Sequence, residues 1–245
     1  MAVICVTQAR IGSTRLPAKV LMDIGGIPLI AAHCNRVARS RLIDRHILAI
    51  ADTPDNAPLQ RWAESATMLY AQGSELDVLS RFFLAAQKAG AREGDTIVRL
   101  TGDCPLVAPE LIDGVIQAHL ANNPDGYTYL DLGEFPRGFD TEVFPYKLLA
   151  QTALTATSPA AREHVTYSMY SDGAVPLLGV KLGKAEWREF RLCVDEADDL
   201  ALVRFIASTL GPNWLEADGK QICTLLMAQP DKATINSHVK QKTPH

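Results

Sequence analysis

Cysteine is scarce and unpaired along the chain. The five thiols (Cys5, Cys34, Cys104, Cys193, Cys223) lie far apart and form no Cys-x-x-Cys pair. That speaks against a disulfide framework or a structural zinc site and predicts reduced thiols in a cytosolic protein. Positive charge is not in excess either. Lys and Arg number 24 against 28 Asp and Glu, a formal net charge of −4, so bulk attraction to a nucleic-acid backbone is excluded. No apolar run approaches the roughly 20 residues of a membrane span. Residues 1–7 are apolar but have no basic region before them, and read as a buried strand rather than a secretion signal.

Several motifs are missing as well. Neither Gly-x-x-x-x-Gly-Lys-Ser/Thr nor Gly-x-Gly-x-x-Gly occurs, which disfavours a P-loop nucleotidase and a nicotinamide dehydrogenase. No Asp-x-Asp metal motif follows a strand. No Ser–His–Asp set or lone nucleophilic cysteine is evident, and Cys104 reads as a packing residue.

What is present is ordinary globular material. Hydrophobic residues make up 47% and charged ones 21% of 245 residues, enough for a large core. Runs 3–7, 46–51, 67–70 and 96–100 read as strands, and 27–40, 57–66, 76–89 and 109–120 as helices. The strands are Val/Ile-rich without clean alternation, the pattern of parallel strands covered on both faces. Their alternation with helices predicts a three-layer α/β architecture, with ligands at the carboxyl ends of the strands.

Residues 122–146 carry Pro-Asp-Gly, Phe-Pro-Arg-Gly and Phe-Pro-Tyr and read as strands and turns added to that frame. Helices are expected at 146–156 and 158–170, the second with Ser158 as N-cap and Pro159 at the first helical position. Strands follow at 175–180 and 191–194, and helices at 198–210 and 220–228. The expected organisation is one domain over residues 1–231 with an acceptor-binding or dimerisation excursion at 122–172, then a polar, frayed tail at 232–245. Five aromatics of the excursion (Tyr127, Tyr129, Phe135, Phe139, Phe144) look exposed.

Chemistry concentrates just after the first strand. Gln8 to Lys19 reads Q-A-R-I-G-S-T-R-L-P-A-K. Arg10, Arg15 and Lys19 supply three cations, with Gly12, Ser13 and Thr14 between them. Small residues let successive backbone N–H groups approach an anion, and forked Arg donors suit phosphate. The plain alternative is a solvated basic turn. Two acidic turns also follow strands. Asp103 lies in T-G-D-C-P-L and Asp195 in R-L-C-V-D-E-A-D-D-L. Each could hold Mg²⁺, which takes oxygen ligands and bridges phosphates. Equally, Asp103 could end a turn, and Asp195 or Glu196 could cap the next helix.

The loop resembles the signature of the sugar-acid cytidylyltransferases, Ala-Arg-x-x-Ser-x-Arg-Leu/Ile-Pro-x-Lys, with Ala9, Arg10, Ser13, Arg15, Leu16, Pro17 and Lys19 in place. It is most similar to the spore coat polysaccharide biosynthesis protein F-like subgroup, whose pattern Gln8 to Leu21 match. The resemblance implies a Rossmann-like nucleotide-diphospho-sugar transferase fold with a mostly parallel sheet. It also implies transfer of cytidine monophosphate (CMP) from CTP to an acidic sugar, releasing pyrophosphate, in polysaccharide biosynthesis.

On this resemblance Arg10, Arg15 and Lys19 hold phosphates, with Ala9, Gly12, Ser13 and Thr14 beside them, and Asp103 and Asp195 jointly hold Mg²⁺. The segment A-Q-G-S-E-L-D-V-L-S-R places Gln72, Gly73, Ser74 and Asp77 at the base, with a helix cap by Ser74 and Asp77 as the plain alternative. Segments F-P-R-G-F-D-T-E-V-F and R-E-H-V-T place Arg137, Asp140, Glu142, Arg162 and His164 at the acceptor. There Arg137 would pair with a sugar carboxylate, and the alternatives are a salt bridge of Arg137 with Glu142 and a contact histidine at 164. Relatives of this kind dimerise through comparable insertions, so a homodimer is expected. Two other readings stay open: a transferase of the same fold using another nucleotide or sugar, and a non-catalytic nucleotide-sugar binder.

Overall fold

The computed structural model describes residues 1–173 and 175–241. Strand β1 (Val3–Ala9) lies inside a seven-stranded sheet, third from one edge. It pairs in parallel with β4 (Arg45–Ala51) on one side and β6 (Thr96–Thr101) on the other. Beyond β4 lies β5 (Tyr70–Gly73), also parallel. The far side is built by β8 (Glu142–Pro145), antiparallel to β6, then β7 (Tyr127–Leu130) and β9 (Leu177–Val180). A two-stranded hairpin of β2 (Asp23–Ile24) and β3 (Ile27–Pro28) stands apart.

Both faces of the sheet are buried, which is why its strands do not alternate in hydropathy. Val3 and Cys5 point into a core with α1 (Leu29–Val37), α4 (Pro109–Asn122), α8 (Ala197–Leu210) and α9 (Gly219–Met227). Ile4 and Val6 point into the opposite core with α3 (Val78–Lys88) and α5 (Tyr146–Thr155). Helix α2 (Ala57–Ser65) covers the β4 side with Leu59 and Ala63. Inside the first core Arg36 is fully buried and donates to four carbonyls, those of Val107, Trp214, Leu215 and Ala217. No helix among the described residues is long and apolar enough to cross a membrane.

Five expectations need correction. The strand expected at 67–70 is β5, three residues later, because Thr67 takes a left-handed φ of 53° and turns the chain first. The helix expected at 158–170 is split. Ser158 Oγ accepts from Ala161 N (3.2 Å) to start α6 (Pro159–Glu163), but buried Val165 has φ 50° and the chain restarts as α7 (Tyr167–Ser171). Residues 191–194 form no strand, only an isolated bridge of Arg191 to Arg137. The excursion's aromatics are not exposed: Tyr127, Phe135, Phe139 and Phe144 are at most 4% exposed and belong to the cores. They therefore give no support to a dimer face. The tail is anchored through Gln241 rather than frayed. It forms α10 (Pro230–Ala233), and buried Asn236 donates to Arg191 O (2.9 Å) and Asp199 Oδ1 (2.7 Å). Residues 242–245 lie outside the described residues.

Candidate active site

The carboxyl ends of β1 and β6 open into a cleft of about 620 Å³, within the usual range for small-molecule sites. The loop after β1 is held in shape by its own backbone and by Asn56. Asn56 Oδ1 accepts from Ile11 N (2.7 Å), Ala18 N donates to Ile11 O (3.2 Å), and Ala18 takes a left-handed φ of 55°. The reversal delivers Lys19, 8% exposed, into the cleft floor. At the end of β6 the next turn is tied back to β1, with Gly102 N donating to Gln8 O (2.9 Å). The 191–195 segment passes alongside. Gly138, at φ 113°, lets it approach: a Cβ there would lie 2.5 Å from Leu192 C and 2.6 Å from Cys193 N. Val194 N then donates to Asp103 O (2.9 Å).

These constraints bring Asp103 and Asp195 together over one cation. Lys19 Nζ donates to Asp103 Oδ2 (3.0 Å), Asp195 Oδ1 (2.8 Å) and Val194 O (2.6 Å). An ammonium has three donors, so all are committed. Burial alone would lower the Lys19 pKa, but the two carboxylates hold it above its ordinary value. Burial likewise pushes Asp195 up, and Lys19, Arg15 and Arg191 more than offset it, leaving its carboxyl below the usual range. Arg15 pairs with Asp195 (3.1 Å) and Glu196 (3.0 Å), and Arg191 bridges Asp195, Asp199 and Gln241. Glu196 and Asp199 form the capping box of α8, so the helix start itself fixes the Asp195 backbone.

A buried network supports the Asp103 turn from below. His33 Nδ1 lies 2.9 Å from Cys104 O, which can only accept, so that nitrogen carries the proton. His33 Nε2 then accepts from the Thr7 hydroxyl (3.0 Å), whose oxygen accepts from His46 Nε2 (2.8 Å). Burial lowers the His33 pKa to about 4, so the ring stays neutral.

Of the residues singled out in the sequence, Ala9, Arg10, Gly12, Ser13, Thr14, Arg15, Lys19, Asp103, Asp195, Arg137, Asp140, Glu142 and His164 line this cleft. Gln72, Gly73, Ser74, Asp77 and Arg162 do not. Ser74 Oγ accepts from Asp77 N (3.0 Å), Asp77 caps α3 through Ser80 N (2.9 Å), and Arg162 pairs with Asp77 and donates to Ala153 O (2.9 Å). The polar atoms of Ser74, Asp77 and Arg162 serve the β5–α3 turn and its tie to α6. Glu142 pairs with Arg99 (2.7 Å), its cross-strand neighbour, and Arg137 with Asp140 (2.8 Å). Sequence reading missed Arg81, Arg99, Arg191 and Gln241. Arg99, a cation inside an apolar strand, carried a signal, whereas Gln241 in a polar tail carried none.

The cleft wall is electrically balanced. Six basic side chains (Arg10, Arg15, Lys19, Arg81, Arg99, Arg137) face six carboxylates (Glu75, Asp103, Asp140, Glu142, Glu163, Asp195). Among the described residues no group of three or more His, Cys, Asp or Glu could hold a metal. The pair Asp103 and Asp195 does fit a hard divalent ion chemically: two carboxylate oxygens already converge on one cation, and the open cleft leaves room for oxygens of a ligand.

A parallel α/β sheet with basic loop and paired acids at its carboxyl edge defines a nucleotide-handling enzyme class. The chain belongs to the cytidylyltransferase family, whose sequence pattern matches residues 4–195, and it is a CTP-using nucleotidyltransferase. It is 32% identical over 241 residues to the spore coat polysaccharide biosynthesis protein SpsF of Bacillus subtilis, covering 95% of this chain and 97% of that one. A 3-deoxy-manno-octulosonate cytidylyltransferase of Chlorobium phaeobacteroides is 35% identical over 130 residues, 51% of this chain and 49% of its own length. In fold the chain resembles a cytidylyltransferase of Leptospira borgpetersenii, with a TM-score of 0.87, 23% identity and full coverage of both chains.

Proposed function

We propose that the protein transfers CMP from CTP to an acidic sugar and releases pyrophosphate, as a step in surface polysaccharide biosynthesis, with Mg²⁺ held by Asp103 and Asp195. The observation that carries this reading is the convergence of both acids and two of the loop cations, Arg15 and Lys19, on one point at the sheet's carboxyl edge. When bound, the ion supplies Lewis-acid polarisation of a phosphoryl oxygen.

The chain's own residues do the rest by positioning and charge. Arg10, with half its side chain exposed and one weak contact to Glu75 (3.3 Å), is free to turn to a phosphate. Lys19 keeps the two acids together rather than presenting a donor to phosphate, which revises its expected role. Arg15 and Arg191 fix Asp195. Arg137 uses one nitrogen on Asp140 and is 47% exposed in its side chain, so it retains donors for the sugar carboxylate. His164 stands nearby for a sugar hydroxyl.

The test is a matrix of four nucleoside triphosphates against several acidic sugars, read by pyrophosphate release. Turnover should appear only with CTP and a carboxylated sugar. Turnover with a neutral sugar alone would overturn the acceptor assignment, and CTP binding without turnover on any sugar would favour a nucleotide-sugar binder.

A further inference from the structure

The C-terminal stretch lies outside the span that matches the family, residues 4–195, yet it comes back to the cleft. Asn236, 1% exposed, fastens it to Arg191 O and Asp199 Oδ1, and Val239 is buried as well. From there the tail meets both arginines that hold Asp195 Oδ2. Lys240 O accepts from Arg15 Nη1 (3.4 Å), and Gln241 Oε1 accepts from Arg191 Nη1 (2.6 Å). Gln241 itself lines the cleft.

The Arg191 guanidinium is a rigid plane held at three corners. Nε donates to Asp199 Oδ1 (3.0 Å), Nη2 to Asp195 Oδ2, and Nη1 to Gln241 Oε1. Asp199 is a fixed support. Its side chain is 0% exposed, and its Oδ2 accepts from Asp195 N (2.8 Å) and Glu196 N (2.9 Å). A planar group anchored at one corner can tilt about it. A second anchor stops the tilt and keeps Nη2 aimed at Asp195, and Gln241 supplies that second anchor. Asp195 Oδ1 meanwhile faces Lys19 Nζ (2.8 Å), which also bonds Asp103 (3.0 Å). Holding Oδ2 therefore fixes which oxygen is turned to the point where the two acids converge.

We propose that Gln241 is a positioning residue of the transfer site: its side-chain carbonyl locks the Arg191 guanidinium on Asp195 Oδ2, so that Oδ1 stays turned toward Asp103. This role rests on the reading of Asp103 and Asp195 as the pair that holds Mg²⁺ beside CTP, and it makes the end of the chain a working part of that pair. Only the acceptor atom of residue 241 is needed, so the contact should survive exchange of the amide for a carboxylate and fail with an apolar side chain of the same length.

Calorimetric binding of CTP to the full chain, with Mg²⁺ and with EDTA in its place, tests it. The quantity read is the ratio of the two affinities, which cancels any direct contact of residue 241 with the nucleotide. Gln241→Met removes the acceptor and Gln241→Glu keeps it. Gln241 is exposed, so both variants should fold. The ratio should fall about 5- to 10-fold in Gln241→Met, the scale of one net hydrogen bond, and stay within about twofold of wild type in Gln241→Glu. An unchanged ratio in Gln241→Met would overturn the proposal. So would an equal fall in both variants, which would assign the effect to the amide N–H₂ group. A wild-type chain whose CTP affinity ignores Mg²⁺ would sink the metal reading, and one that binds no CTP the nucleotide reading. Either would take this role down with it, and each shows in the wild type rather than in a variant.

Discussion

Replacing Lys19 by Met removes the cation on which the cleft's two acids meet. Lys19 Nζ is 3.0 Å from Asp103 and 2.8 Å from Asp195, so those oxygens are at most about 6 Å apart. At an effective dielectric near 20, their mutual repulsion is about 3 kcal/mol once the ammonium is gone. Breaking a buried pair typically costs about 3–5 kcal/mol. Asp103 is 29% exposed in its side chain and Asp195 keeps Arg15 and Arg191, which favours the low end. About 3 kcal/mol lost corresponds to a fall of about 6–12 °C in Tm for a chain of this size. Two acids relieved of their shared ammonium should also bind a divalent ion better. Millimolar Mg²⁺ should therefore recover part of the lost Tm in Lys19→Met, and none in Lys19→Met/Asp195→Asn. Scanning calorimetry with and without Mg²⁺ reads both effects. A Lys19→Met protein as stable as wild type, or equally blind to Mg²⁺, would refute the shared-cation account.

Further outcomes follow from the same structure. Asp103→Ala or Asp195→Ala should lower kcat by far more than it weakens CTP binding, measured by pyrophosphate release beside calorimetry; near-normal turnover at saturating Mg²⁺ would remove the metal from these residues. His33 is neutral in the fold with a pKa of about 4, against about 6.5 unfolded. The unfolded state thus binds more protons in that window, and its stabilising contribution is complete above about pH 6.5 and shrinks as pH falls toward 4. Between pH 6.5 and 5 this amounts to about 2 kcal/mol. Urea midpoints should drop accordingly, and the slope should flatten in His33→Gln, where Cys104 O, Thr7 and His46 are the groups in contact and Asp103 and Arg36 the charges nearby. An unchanged slope would assign the acid sensitivity elsewhere. Asn236→Leu should cost about 1–3 kcal/mol by orphaning the Arg191 carbonyl and one Asp199 contact; an unaltered Tm would mean the tail contributes nothing.

The basic loop at the cleft was legible because its residues are local in sequence. Gly12, Ser13 and the three cations of residues 8–19 are contiguous, and the strand that presents them is apolar throughout. The meeting of Asp103 with Asp195 was suggested by their matching positions after apolar runs and by family resemblance; the ammonium between them was not. Ser74 and Asp77 could not be resolved from sequence, since the same residues suit a helix start and a ligand, and here the helix start uses them. Arg81 lay hidden in a helical repeat: Val78, Phe82 and Ala85 mark the buried face, and a cation beside them was the overlooked sign. The excursion's aromatics looked exposed because short strands between turns give no clue to which sheet will cover them. Val165 breaks its helix through a left-handed φ that no local propensity favours.

Arg36 bears on where the protein can be cut. Its guanidinium is sewn to carbonyls at 107 and at 214, 215 and 217, which join the floor beneath Asp103 to a stretch outside the span that defines the family. A version trimmed to that span would strand a charged group among apolar neighbours and reopen the base of the catalytic cleft. The final fifth is thus part of the enzyme's foundation, and any engineered minimal form must carry it.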